Sequence, residues 1–339
     1  MPAEAGDRIA PEQIDDIYRT LIRPTVFGPT PGGEPSPTLV LLGGQPGSGK
    51  SRASARLLAE YDGMVALSGD DLRIFHPQYR NLVTAEPEQA GAVLADATSS
   101  WVRSAIQDAL EERRSLLIEG TFGDPDVTLA TAAQFREAGF HVRVVAIASP
   151  RVLSVVTATS RYLRDQKLGS PARFTRLSAH DRGYNGTTRL IEKIDSTTPA
   201  DEVTVISRNG RVLFDRARDE EGAAAFAEAK GALHGGRHPQ SWGARSTMEL
   251  LGELKQISAY AVSGHLTSDI ADLLIEAHEL ALSEVVAHLS IDAAAPQARF
   301  IEQAVSEQLV ALRRDASLIR QTHQDLEPRL DVGVHVEMS

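Results

Sequence analysis

The chain contains no cysteine. That excludes disulfides, thiolate metal sites and a cysteine nucleophile, and it leads to the expectation of a cytoplasmic protein. No stretch approaches the roughly 18 uninterrupted apolar residues of a membrane helix. Residues 1–10 also lack the basic-then-apolar pattern of a secretion signal, so no membrane association is expected. Positive charge is scarce: 35 Lys and Arg stand against 46 Asp and Glu, a formal net charge of −11. This balance argues against broad nucleic-acid binding, although a local basic patch can still hold phosphates. What is present, 339 residues of which 42% are hydrophobic and 24% charged, suffices for one large globular unit or two ordinary ones.

Residues 11–23 read as a helix with Ile14, Ile17, Tyr18, Leu21 and Ile22 on one face. The proline- and glycine-rich stretch 24–37 reads as a fixed connection, which makes 1–37 an N-terminal helix plus linker. Short apolar runs then alternate with longer amphipathic ones. Strands are expected at 39–42, 64–67, 115–118, 141–147 and 202–206, and helices at 50–61, 88–114, 127–138 and 151–164. Such alternation predicts an α/β unit over 38–233, a parallel sheet flanked by helices, with an Asn209-Gly210 hairpin turn closing it. Beyond it the texture changes. Three stripes (Met248, Leu251, Leu254, Ile257; Ile270, Leu273, Leu274, Ala277, Leu280; Phe300, Ile301, Val305, Leu309, Leu312) predict an all-helical domain or appendage over 240–339.

The stretch GGQPGSGKS, residues 43–51, follows the first apolar run and matches G-x-x-x-x-G-K-[S/T] at Gly44, Gly49, Lys50 and Ser51. Glycines let the backbone curl so that several N–H groups point inward, and the helix that follows adds its positive end. Gly44, Gln45, Pro46, Gly47, Ser48, Gly49, Lys50 and Ser51 are therefore the candidate nucleotide-binding residues. Lys50 is expected to reach the β- and γ-phosphates, and the Ser51 hydroxyl to ligate Mg²⁺. The fate of the γ-phosphate is a separate question. The sequence lacks the Asn-Lys-x-Asp of a GTPase, and the run Leu116–Glu119 continues into Gly120-Thr121 rather than ending in the Asp-Glu of an ATPase motor.

In a doubly wound sheet the carboxyl ends of the strands face the ligand crevice. The second strand ends in Ser68-Gly69-Asp70-Asp71, where one carboxylate of the pair can take the proton of an attacking hydroxyl and the other can cap a helix. The third ends in Glu119-Gly120-Thr121, groups suited to a substrate's hydroxyls or amides, or alternatively to a loop exit with Thr121 as cap. Arg161, Arg164, Arg173, Arg176, Arg182 and Arg189 follow the fourth strand, where a cationic lid over transferring phosphate oxygens is expected.

Together, SPTLVLLGGQPGSGKS, SGDDLRIFHPQY, LLIEGTF, SRY and ARFTRLSAHD, in this order and spacing, resemble the zeta toxin family of bacterial small-molecule kinases, over about residues 11–214. The resemblance implies Asp70, six residues before His76, as general base and Lys50 as the phosphate-binding lysine. It implies Arg161 and Arg173 as the arginines that hold the γ-phosphate, and Glu119 and Thr121 as acceptor contacts; Asp71, beside Asp70, is a further candidate for substrate binding. It further implies ATP and Mg²⁺, UDP-N-acetylglucosamine phosphorylated on the sugar 3′-hydroxyl with a toxic effect on cell-wall synthesis, and a helical antitoxin as partner. Two departures stand out. Arg103 occupies a region where some members have a substrate-contacting carboxylate, which leaves another hydroxyl acceptor open, an antibiotic or a different sugar nucleotide. The helical residues after Gly236 lie outside the minimal family domain and offer restraint by helices laid across the crevice as an alternative to a separate antitoxin. A nucleotide-regulated interaction protein is the reading from another functional class.

Overall fold

The computed structural model describes residues 9–28, 32–197, 199–218, 225–238, 244–288 and 296–326. Residues 29–31 of the expected 24–37 connection, residues 239–243 and both chain ends lie outside them. Six strands form one sheet in the order β2-β3-β1-β4-β5-β6: β1 Thr38–Gly43, β2 Val65–Ser68, β3 Leu116–Gly120, β4 His141–Ala148, β5 Glu202–Ser207 and β6 Val212–Ala217. The first five run parallel and β6 is antiparallel to β5 across the Asn209-Gly210 turn, where Gly210 adopts φ +81°. Strand β1 lies between β3 and β4, with Leu41 opposite both Ile118 and Val144. Helices cover both of its faces, which is why Leu39–Leu42 can be an unbroken apolar run.

One large core cluster joins Leu39, Leu41, Val142 and Val144 of the sheet to Trp101, Phe135, Ile17 and Ile22. A second joins Val152, Val155, Val156 and Leu163 of the Arg151–Lys167 helix to Leu254, Leu273, Leu274 and Leu312. The three long C-terminal helices, Ala244–Val262, Ser268–Leu280 and Pro296–Leu326, thus share their core with the helix that follows β4. Each fully buried aliphatic side chain there contributes roughly 1.5–3 kcal/mol over an exposed one.

Three expectations shift. The expected connection 24–37 opens as helix, Arg23–Phe27, with Phe27 buried in the large core. The single helix expected over 88–114 is divided into Pro87–Val93 and Ala95–Glu111 at Leu94, which keeps a right-handed backbone, donates to the Ala90 carbonyl at 3.0 Å and is buried in a small cluster with Leu82, Val83 and Ala90. In the C-terminal stripes Met248 and Phe300 face solvent, at 57% and 73% exposure, and the buried face of the Ala244–Val262 helix is instead Leu250, Leu254, Ile257 and Ala261. No helix among the described residues is long and apolar enough to cross a membrane.

Candidate active site

Strand β1 delivers the chain into the glycine loop, and the Lys50–Leu58 helix takes it out. Gly47 and Gly49 sit at φ +78° and +100°, a region that favours glycine. A Cβ on Gly47 would also fall 2.1 Å from the carbonyl oxygen of Ser154, so the loop is pressed against the Arg151–Lys167 helix. Gln45 fastens it there: its buried Nε2 donates to the Ser149 carbonyl at 3.0 Å and to Ser154 Oγ at 3.2 Å. The Lys50 ammonium donates to the carbonyls of Gly44 at 2.8 Å and Gln45 at 3.2 Å, closing the loop on itself. Burial, helped by nearby Arg173 and Arg161, lowers the Lys50 pKa to about 8 against the opposing pull of Glu119 and Asp70.

Two cavities meet at this loop. One, of about 660 Å³, is lined by Gly47, Gly49, Ser51, Asp71 and Arg161. The other, of about 590 Å³, runs beneath Glu88, Thr98, Ser99, Thr121, Arg176 and Arg182. Pro46, Lys50, Asp70, Glu119 and Arg173 line both. Four residues that the sequence singles out, Lys50, Asp70, Glu119 and Arg173, therefore form the wall between two compartments.

Asp70 stands in the first turn of the short Gly69–Leu72 helix, whose N-cap is Ser68, so Asp70 does not cap it. Its Oδ2 accepts from Arg173 Nη1, and Arg73 lies 3.6 Å from its Oδ1. Asp71 lines the loop-side cavity together with Glu119, and not the one beneath Thr121. Burial, then the neighbouring Asp70, raises its pKa. Burial also raises that of Glu119, with Lys50 opposing. The capping alternative for Thr121 also falls away: Asp124 caps the Pro125–Glu137 helix, accepting from Asp126 N at 3.0 Å and Val127 N at 3.4 Å. Instead Thr121 precedes Phe122, held at φ +53°, and faces the second cavity.

The arginines divide. Arg161 lines the loop-side cavity; burial, then the charge of Arg173, lowers its pKa. Arg176 and Arg182 line the other, and Arg182 with Arg189 a recess beyond it. Arg164 is exposed, lines none of these cavities and lies 3.7 Å from Asp165.

Among the cavity residues that the sequence did not single out are Arg208 and Glu88. Arg208, at the end of β5, donates to the Gly47 carbonyl through Nη1 and to Thr157 Oγ1 at 3.1 Å, on the wall of the loop-side cavity. Its only sequence signal was the adjacent Asn-Gly turn. Glu88 gives the second cavity a carboxylate, whereas Arg103 is exposed and lines neither cavity. Among the described residues none after Arg208 lines either cavity. The C-terminal helices do not lie across the crevice; they meet its rim, Thr267 donating to Glu88 at 2.7 Å and Arg176 to Asp269 at 3.2 Å.

Comparison with known proteins adds the lineage. The family profile described as Zeta toxin matches residues 29–219. "Toxin zeta" of Enterococcus hirae is 26% identical over 182 residues, 53% of this chain and 63% of that protein. "Toxin PezT" of Streptococcus pneumoniae is 28% identical over 191 residues, 56% of this chain and 75% of that protein. The solved structure from the PezAT chromosomal toxin-antitoxin system of Streptococcus pneumoniae aligns with a TM-score of 0.61 at 21% identity, over 75% of this chain and 98% of that one, and shares the fold. With more than half of its length matched by the profile, the chain belongs to the zeta toxin family.

Proposed function

We propose that the protein is an ATP-dependent kinase that transfers the γ-phosphoryl group to a hydroxyl, the 3′-hydroxyl of the sugar in UDP-N-acetylglucosamine being the acceptor. One observation carries this reading: the two cavities share a wall made of a lysine, an arginine and two carboxylates. A hydrolase or a switch needs one compartment for the nucleotide; a transferase needs a second beside it. The glycine loop, Arg161 and Arg208 suit the loop-side cavity to ATP, with loop N–H groups and Lys50 on the phosphates. Glu88, Thr121 and Glu119 suit the other to a polyhydroxylated acceptor.

In this reading Asp70 takes the proton of the acceptor hydroxyl as its oxygen bonds to the γ-phosphorus and the bond to the ADP oxygen breaks. Arg161 and Arg173 hold the equatorial oxygens of the group in flight, and Lys50 the charge that develops toward the leaving side. Glu119 orients the acceptor from the shared wall. The donor set also fits Mg²⁺: the exposed Ser51 hydroxyl and the Asp71 carboxylate face the same cavity, and Mg²⁺ is commonly held by one or two protein oxygens together with phosphates. When bound, the ion neutralises phosphate charge. Depletion of a cell-wall precursor then accounts for toxicity, and a separate helical antitoxin is the restraining partner. A different hydroxyl acceptor is the second reading, favoured by Glu88, which supplies the cavity's outer carboxylate from a helix other than the one carrying Arg103.

The test is incubation of the purified protein and ATP with a panel of nucleotide sugars, read by mass. UDP-N-acetylglucosamine should gain one phosphoryl group and its 3′-deoxy analogue none. Gain on another compound alone would replace the acceptor. Acceptor-independent ATP hydrolysis without any phosphorylated product would overturn the kinase reading.

A further inference from the structure

An unbroken chain of polar contacts leads from the glycine loop to the C-terminal helices. Gln45, Ser154 and His180 are all buried, at 0%, 0% and 1% exposure. Gln45 Nε2 lies 3.2 Å from Ser154 Oγ, Ser154 Oγ 2.9 Å from His180 Nε2, and His180 Nδ1 3.0 Å from Asp181 Oδ1. Asp181 accepts a fork from Arg151, Nε to Oδ1 at 2.9 Å and Nη2 to Oδ2 at 2.7 Å. The remaining guanidinium nitrogen of Arg151 donates to Glu276 Oε1, on the Ser268–Leu280 helix.

The chemistry of the groups orients the bonds at Asp181, while the single hydrogen of Ser154 has three acceptors in range: His180 Nε2 at 2.9 Å and the helix carbonyls of Arg151 at 3.0 Å and Pro150 at 3.2 Å. A carboxylate only accepts, so His180 Nδ1 carries the hydrogen that meets Asp181. Burial lowers the His180 pKa, the ring is neutral at pH 7, and its Nε2 accepts from the Ser154 hydroxyl. The Ser154 oxygen is thereby left to accept from Gln45. Turning any one member requires its neighbours to turn, which is how such chains transmit orientation. Gln45 sits in the loop at the point where Gly47 is pressed against the Ser154 backbone, so its position sets the curl of the loop.

We propose that Glu276 is a positioning residue for the P-loop: through Arg151, Asp181, His180 and Ser154 it holds Gln45, and with it the phosphate-binding amides of residues 44–49. The consequence for ATP rests on the proposed kinase reading; the coupling itself does not. The C-terminal helical segment is on this view part of the nucleotide site's scaffold, acting from outside the cavity.

The experiment uses the full chain and compares Glu276→Gln with Glu279→Gln. Glu279 lies on the same helix, but its carboxylate pairs with Arg313 at 2.6 Å, within the C-terminal helices. Amide hydrogen exchange of peptides covering residues 44–50 is the first readout, and the ATP dissociation constant the second. Glu276→Gln should raise exchange in that peptide and weaken ATP about 3–10-fold, the size of the charge assistance lost from a hydrogen bond that the Gln amide oxygen still accepts. Arg151→Lys should do the same, since an ammonium cannot replace the fork. Glu279→Gln should do neither, and Gln45→Ala added to Glu276→Gln should be less than additive. Unchanged exchange in Glu276→Gln and Arg151→Lys, or an equal rise in Glu279→Gln, would overturn the proposal. A rise specific to Glu276→Gln in a protein that binds no ATP would support the coupling and count against the kinase reading instead.

Discussion

Arg173 Nη1 donates to Asp70 Oδ2, at the wall shared by the two cavities. The candidate base is thus engaged by the cation proposed to hold the transferring phosphoryl group. In the proposed reaction a phosphate that draws Arg173 toward itself releases Oδ2 to accept the proton, while Arg73 stays 3.6 Å from Oδ1.

From this pairing, Arg173→Ala and Arg161→Ala should each lower transfer by about 10²–10³-fold, as removal of a preorganised charge from a transferring group does. Arg173→Lys should restore little, because a point charge does not reproduce a forked contact. Arg164→Ala, an exposed position off both cavities, should retain activity. Steady-state rates of the four variants decide it; equal losses at Arg161, Arg173 and Arg164 would indicate a diffuse field rather than placed contacts.

The lowered Lys50 pKa gives a pH dependence with a definite sign. A polyphosphate beside the ammonium stabilises the charged form, so binding raises this pKa above its free value of about 8. Nucleotide affinity is therefore full below pH 8 and falls as pH rises above it, with proton uptake on binding in that range. Calorimetry in buffers of differing ionisation enthalpy reads the uptake. Lys50→Arg should abolish it, and a flat affinity from pH 7 to 10 in the unsubstituted protein would contradict the assignment.

The two compartments should separate in kinetics. Arg208→Ala, which removes the contact to the Gly47 carbonyl, should raise the KM for ATP about 10-fold and leave that for acceptor unchanged. Glu88→Gln should do the reverse. If both substitutions moved the same KM, the division into nucleotide and acceptor cavities would fail.

What the sequence made legible was what is local along the chain. The strand-loop-helix of Leu39–Lys50 needs only neighbouring residues, and its pattern sufficed. The strands followed from short apolar runs, because a sheet covered on both faces leaves no polar alternation to misread. Arg208 and Glu88 were not legible as site residues: one lies 161 positions from the Gly47 carbonyl it contacts, and neither belongs to a motif. The division at Leu94 was not legible, because leucine is a good helix former and the cluster it joins includes Leu82 and Val83 from an earlier helix. Met248 and Phe300 mark the limit of stripe counting, since apolar residues also occupy surfaces.

The central claim, that a hydroxyl in one cavity is phosphorylated from the other with Asp70 as base, is tested most directly by Asp70→Asn. The change is nearly isosteric and keeps an acceptor oxygen for Arg173 while removing the base. Single-turnover transfer from ATP to UDP-N-acetylglucosamine, measured beside ATP affinity, should fall about 10²–10⁴-fold with the affinity preserved. Turnover close to that of the unsubstituted protein in Asp70→Asn would contradict it.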